Sequence, residues 1–208
     1  MIDTDTKWIR NKSDEAALSE GCYFDEKKAS HIVKFFECFL QVKTGKFAGR
    51  LIKLLSWQKD FLMRLNGWRR KDGTRRFRKC SLFVAKKNGK SLLCSGLALY
   101  FALADGESQP EVILGASARD QAEIVYREAK NMVEASKALS DYVKVVDSRK
   151  RINISNGSAY VKVVSSDAGR QEGINASLVV MDELHAHKGY GDELYKCLEY
   201  AGVARESP

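Results

Sequence analysis

The chain has 208 residues, 44% of them hydrophobic and 30% charged, with a formal net charge of +8 and an isoelectric point near 9.2. This fits one sizeable soluble α/β domain with a real core, with room for a small N-terminal extension, and its basic excess favours a polyanionic partner. A disulfide framework and a zinc site are excluded by five cysteines (22, 38, 80, 94, 197) scattered without a C-x-x-C spacing, a bilayer span by the shortness of the apolar run 92–104, and a signal peptide by the acidic, polar start Met1-Ile2-Asp3-Thr4-Asp5.

In chain order, residues 1–22 show little periodicity and read as an irregular arm. From Phe24 to about Val42, the residues Ile32, Val33, Phe35, Phe36, Phe39 and Leu40 recur at helical spacing, with Asp25 and Lys28 at the start and Gly45 just past the end. An extended piece, 50–55, leads to Ser56, which can cap a helix reaching about Asn66. Seven basic residues follow within 69–79, among them Arg69, Arg70, Arg75, Arg76 and Arg78, split by the turn signal Asp72-Gly73. Such a cluster either binds nucleic-acid backbone or is a solvated hairpin.

The run Ser81-Leu82-Phe83-Val84-Ala85-Lys86-Lys87-Asn88-Gly89-Lys90-Ser91 is the organising feature. A short apolar strand over 80–85 ends in a turn, and Gly-Lys-Ser opens a buried helix. In a phosphate-binding loop of this form the backbone N–H groups cradle phosphates, Lys90 reaches the β- and γ-phosphates, and Ser91 holds Mg²⁺. Val84 stands where the usual first glycine is expected, so the motif alone is only moderately specific. Next, 111–116 reads as a buried parallel strand, and a helix capped near Ser117 turns Ala118, Ala122, Val125, Ala129, Met132 and Val133 inward. Strand and helix alternate as in a right-handed parallel α/β sheet. Residues 151–155 and 159–164 flank Asn156-Gly157 as a β-hairpin, and 177–183 form a strand ending in Asp182 and Glu183.

That carboxylate pair is the natural companion of the loop. Asp182, at the end of its strand, can hold Mg²⁺, and Glu183 can polarise the attacking water. Together the two motifs predict an ATP site. Upstream, the Gln58 amide could read adenine with Trp57 supporting the base, or Trp57 could be a core residue beside a solvated Gln. Arg170 lies in a polar, glycine-containing loop where it is either solvated or able to stabilise γ-phosphate charge. His185 and His187 lack a specific zinc spacing.

Trp57-Gln58, the loop 84–91, Asp120-Gln121-Ala122 and the run 178–185 together resemble the large terminase subunit of tailed bacteriophages, over most of the chain from about 50 to 208. In that family the missing first glycine is ordinary. The resemblance implies an α/β fold, a P-loop NTPase of the additional-strand catalytic-glutamate type, with a mostly parallel sheet flanked by helices and an N-terminal helical extension (1–50 arm and helix, 51–208 ATPase domain). It implies ATP and Mg²⁺ as cofactors, Val84 to Ser91 as the nucleotide loop, Gln58 as adenine reader, Ser91 and Asp182 at the metal, Glu183 as catalytic base and Arg170 as a trans-acting arginine finger. Lys86 or Lys87 takes a nucleotide-sensing role. Its members pump double-stranded DNA into a procapsid as a homo-oligomeric ring, in the host bacterial cytoplasm, with a portal protein and a small terminase subunit as partners and no membrane.

Two other readings stay open. Asp182-Glu183-Leu184-His185 fits the DExH pattern of helicases literally, although such helicases need a second RecA-like domain. The chain also suits a nucleotide- or DNA-binding assembly module without activity. The family's coupling strand and its nuclease domain follow the segment at 201–208. The expectation is therefore an incomplete ATPase domain, a truncated product or a fragment, with a gap or exposed apolar edge between the phosphate-loop strand and the Asp-Glu strand.

Overall fold

Asn11 and Asp25 start the first two helices. The computed structural model describes residues 6–116, 119–154, 157–165, 173–182 and 190–205, with backbone alone at 6, 119–122 and 190–192. Asn11 Oδ1 accepts the Asp14 N–H at 3.0 Å and opens α1 (Lys12–Ser19), a helix in what the sequence presents as an irregular arm. Local periodicity is weak there because α1 is held by one buried carboxylate. Asp14 accepts from Arg64 at 2.9 Å and from Arg76 at 2.6 Å, both far along the chain. After β1 (Tyr23–Phe24), Asp25 caps α2 (Glu26–Phe39) by accepting the Lys28 N–H at 2.9 Å, where the sequence places the helix start.

The third helix, α3 (Ser56–Gly67), contains Ser56 as its first helical residue rather than its cap, and Gln58 Oε1 takes the Leu55 N–H at 2.9 Å instead. It runs into β2 (Trp68–Arg69), which pairs antiparallel with β1. Trp8, Phe24, Ala29 and Trp68 form a separate small core here, with Trp8 stacked on Phe24 at 4.2 Å between ring centroids.

Next comes α4 (Lys90–Leu103), buried over nearly all of its length, as its apolar sequence requires. Then follow β3 (Glu111–Ala116), α5 (Arg119–Ala135), α6 (Lys137–Ser140), β4 (Val143–Val146), β5 (Arg151–Ile154), β6 (Ala159–Ser165), β7 (Leu178–Met181) and α7 (Tyr190–Glu199). The larger sheet has the order β4-β5-β6-β3-β7. β3 pairs parallel with both β6 and β7, whereas β4-β5-β6 is an antiparallel meander, so the sheet is mixed rather than mostly parallel. The expected hairpin 151–164 is present, and its short turn forces the antiparallel hand, while a helical crossover permits parallel pairing.

β3 alternates between the two faces. Val112 and Leu114 join the large core with α2, α4 and α5, while Ile113 joins Val164, Leu194 and Leu198 beneath α7. Helices thus cover both faces. The inward stripe predicted for α5 is met by the buried Val125, Ala129, Met132 and Val133, while the side chains of Ala118 and Ala122 lie outside the described residues.

The strand expected over 80–85 is not formed. These residues take no regular structure and enter no ladder, and Phe83 is 94% exposed. β7 ends the described sheet, with its only ladder made to β3. An apolar run acquires strand structure only when a neighbour satisfies its backbone groups, and none of the described strands lies beside this one.

Candidate functional site

The loop between residue 84 and α4 is shaped by two left-handed residues, Lys87 at φ 67° and Gly89 at φ 76°. Between them, Asn88 Nδ2 donates to the Ala85 carbonyl at 3.2 Å and the Lys86 carbonyl at 3.4 Å, which closes the turn from inside. Gly89 is doubly constrained. Its φ disfavours any side chain, and a Cβ there would stand 3.2 Å from Gln58 Nε2. The first turn of α4 therefore presents its N–H groups and positive dipole end next to this loop, an arrangement suited to an anion. Val84 is half-buried, Ala85 to Asn88 are exposed, and Gly89, Lys90 and Ser91 are half-buried at the mouth.

Gln58 is buried, and both ends of its amide are used within the chain. Oε1 accepts from Leu55, and Nε2 donates to the Asn88 carbonyl at 3.4 Å, tying the start of α3 to the phosphate loop. Trp57 is half-buried against the large core.

On the opposite side, the Asp182 N–H donates to the Gly115 carbonyl at 3.3 Å, which fixes the end of β7 against β3. Asp182 is half-buried. Cys94, one turn beyond Lys90, reports how close the two motifs come. Burial first, and then the Asp182 charge, push its thiol up to about 12 against the opposing charge of Lys90. The core that holds Leu93 and Leu97 of α4 also takes Leu178 and Val180 of β7, so the helix that begins at Lys90 lies against the strand that leads to Asp182, although 92 positions separate the two in the sequence. Ser95 Oγ holds the base of this site by donating within reach of the Ser91 carbonyl at 2.7 Å and the Val125 carbonyl at 2.8 Å.

The donor set offered for a cation is the Ser91 hydroxyl and the Asp182 carboxylate. Hard oxygen donors few in number suit Mg²⁺, which keeps waters and takes the rest of its shell from phosphate. Among the described residues no group of three or more His, Cys, Asp or Glu could hold a metal by itself. Glu183, Arg170, His185 and His187 lie outside the described residues, as do the side chains of Asp120 and Gln121.

The basic cluster is rearranged by folding. The Asp72-Gly73 turn forms, with Arg70 N–H on the Thr74 carbonyl at 2.9 Å. Arg69 is buried, donating to the Asn66 carbonyl at 2.7 Å. Arg75 is buried in an ion pair with Asp105 at 2.7 Å, its guanidinium over the Phe101 ring. Arg76 bonds Asp14 and stacks over Trp68. The solvent-facing patch expected of Arg69, Arg70, Arg75, Arg76 and Arg78 is thereby reduced to Arg70 and Arg78, with Lys71 and Lys79 beside them. The cause is the cost of an unpaired surface next to Trp68 and Phe101, which planar guanidinium groups cover better than ammonium groups. Sequence reasoning missed the Asn88 contacts and the Asp14 network. The first carries a faint signal, since Asn favours left-handed turns, but the second joins positions 14, 64 and 76 and has none.

Together these features define a helix-flanked α/β domain in which a left-handed turn opens α4 and an acidic residue ends β7, the strand on which that helix packs. The family "Terminase large subunit, ATPase domain" matches residues 56–207. The chain is 26% identical over 182 residues to the "Terminase, large subunit" of Enterobacteria phage HK97, covering 87% of this chain and 35% of that protein. Its structure is similar to the crystal structure of the HK97 bacteriophage large terminase, with a TM-score of 0.73 and 26% identity, over 87% of this chain and 36% of the other. The chain belongs to the terminase large subunit ATPase domain family. It spans about a third of the length of the relative it matches. No helix among the described residues is long and apolar enough to cross a membrane.

Proposed function

We propose that this domain is the ATPase motor module of a phage DNA-packaging terminase, a P-loop NTPase of the additional-strand catalytic-glutamate type. The observation that carries the reading is the packing of α4, which opens with Lys90 and Ser91, against β7, which leads to Asp182. The loop N–H groups and Lys90 bind the phosphates of ATP, and Ser91 with Asp182 would hold Mg²⁺, which neutralises charge developing on the transferred phosphoryl group. Glu183, next after Asp182, orients water and takes its proton. Trp57 supports the adenine edge, where Gln58, its amide already engaged by Leu55 and Asn88, has only its remaining Nε2 proton and Oε1 lone pair to offer the base. Lys86 or Lys87 senses nucleotide, and Arg170 is supplied to a neighbouring subunit's site. The cycle drives double-stranded DNA into a procapsid as the work of a homo-oligomeric ring, in the host bacterial cytoplasm, with portal and small subunit as partners.

The test is phosphate release at saturating Mg-ATP by this chain and by Glu183→Gln. Loss of a general base costs about 10²–10⁴-fold, so the variant should lose at least about a hundredfold in rate while still binding nucleotide. Equal rates would remove Glu183 from its role. Nucleotide binding without turnover in the unaltered chain would favour an inactive assembly module.

A further inference from the structure

The segment leading from α2 to α3 carries a feature that the nucleotide site does not use. Residues 51–55 follow a bend at Arg50 without helix or turn, and Gln41 and Leu51 form an antiparallel bridge. Its bonds run from the Val42 N–H to the Arg50 carbonyl at 2.9 Å and from the Ile52 N–H to the Leu40 carbonyl at 2.9 Å. Leu54 N–H turns the same way, to Glu37 Oε1 at 3.2 Å. Alternate residues of an extended chain direct their backbone groups to opposite sides. The N–H and C=O of Leu51 and Lys53 therefore point away from the paired side, and among the described residues they meet no hydrogen-bond partner. This is an open strand edge.

Its side chains alternate cleanly. Ile52 and Leu54 are buried, whereas Leu51 is 46% exposed, Lys53 is exposed and Leu55 is 54% exposed. Phe39 and Phe47 flank it, also exposed. A cleft of about 430 Å³ runs alongside, lined by Glu37, Leu51, Ile52, Lys53, Leu54 and Lys59. No acidic residue occurs between Glu37 and Asp60. Of the basic residues in that interval, Lys43 pairs with Glu134 and Lys59 with Glu37, while Lys46, Arg50 and Lys53 are exposed and make no ion pair among the described residues.

We propose that the edge Leu51–Leu55 receives an added strand from a protein partner, an extended segment that alternates apolar and acidic residues. Main-chain bonds to Leu51 and Lys53 would supply the pairing, Leu51 and Leu55 the apolar contact, and Lys46, Arg50 and Lys53 the charge preference. A nucleic-acid backbone fits less well. Phosphate oxygens only accept, so the free carbonyls of Leu51 and Lys53 would gain no donor, and the two leucines would gain no contact. The inference is independent of the nucleotide reading.

Amide hydrogen exchange of the whole chain tests it, with the capped peptide Val-Glu-Val-Asp-Val as probe and Val-Lys-Val-Lys-Val as control. The acidic peptide at millimolar concentration should slow exchange at Leu51 and Lys53 at least about tenfold, and the control should not. Lys53→Glu, a surface change that leaves the fold intact by thermal melting, should weaken the acidic peptide at least about fivefold by removing one of three cations. Absence of slowing, or equal slowing by both peptides, would overturn the proposal. So would slowing at these amides by duplex DNA alone, or slowing that follows protein concentration without peptide, which would assign the edge to a second copy.

Discussion

Single side chains here do work that their neighbours in sequence do not disclose. Gln58 spans Leu55 and Asn88, so it is both the cap of α3 and a strut under the phosphate loop. Gln58→Ala should therefore cost about 1 kcal/mol in denaturant unfolding, the ordinary worth of a lost cap or hydrogen bond. The same change should raise the Mg-ATP concentration needed for half-saturation, and loss of stability alone would show that the strut does not reach the site. Asp14 gives a pH dependence. Burial pushes its carboxyl up, but hydrogen bonds from Arg76 and Arg64 outweigh this and leave it below the usual range. A depressed carboxylate stabilises the fold above the unfolded value near about pH 4, and that contribution is lost as pH falls through the folded value. Asp14→Asn should flatten the acid limb of a stability-versus-pH curve below about pH 4, and an unchanged limb would contradict the network.

At the scale of elements, the turn 68–79 is a structural clamp with a basic rim. Arg75 sits over Phe101 and pairs with Asp105, joining the hairpin to the end of α4. Breaking such a buried pair by Arg75→Ala should cost about 3–5 kcal/mol, measured by urea unfolding, a loss that would confound any DNA-binding assay made with that variant. The rim residues Arg70 and Arg78 make the cleaner test. Charge removal at both should lower the slope of log affinity for duplex DNA against log salt by about 2, one per phosphate contact. An unchanged slope would place DNA elsewhere on the domain.

For the molecule as a whole, the side of the sheet beyond β7 matters most. β7 is half-buried along its length and pairs on one side only among the described residues, while 80–85 takes no regular structure and leaves Phe83 in solvent. Exposed strand edges of this kind pair with other chains. The molar mass of the 208-residue chain from light scattering should therefore rise with concentration, and Phe83→Lys should suppress the rise. A molar mass that stays at the monomer value across concentrations would argue that this edge is covered.

The two halves of the candidate site could be proposed from the sequence because each is local. Gly89, Lys90 and Ser91 are consecutive, as are the run 178–181 and Asp182, and the apolar sequence of α4 announces a buried helix. Capping at Asp25 and the hairpin 151–164 were local too. What the sequence could not express is pairing at a distance. Whether an apolar run becomes a strand depends on a neighbour for its backbone groups, so 80–85 and the edge at 51–55 were decided by the assembled sheet. Whether an arginine faces solvent depends on which carboxylate lies across from it, and Asp14 and Asp105 drew Arg76 and Arg75 inward. Composition and motif determined the family and the binding chemistry proposed for it, because both are carried by adjacent residues. The tertiary structure decided which charges and edges face solvent among the described residues, because that depends on partners far along the chain.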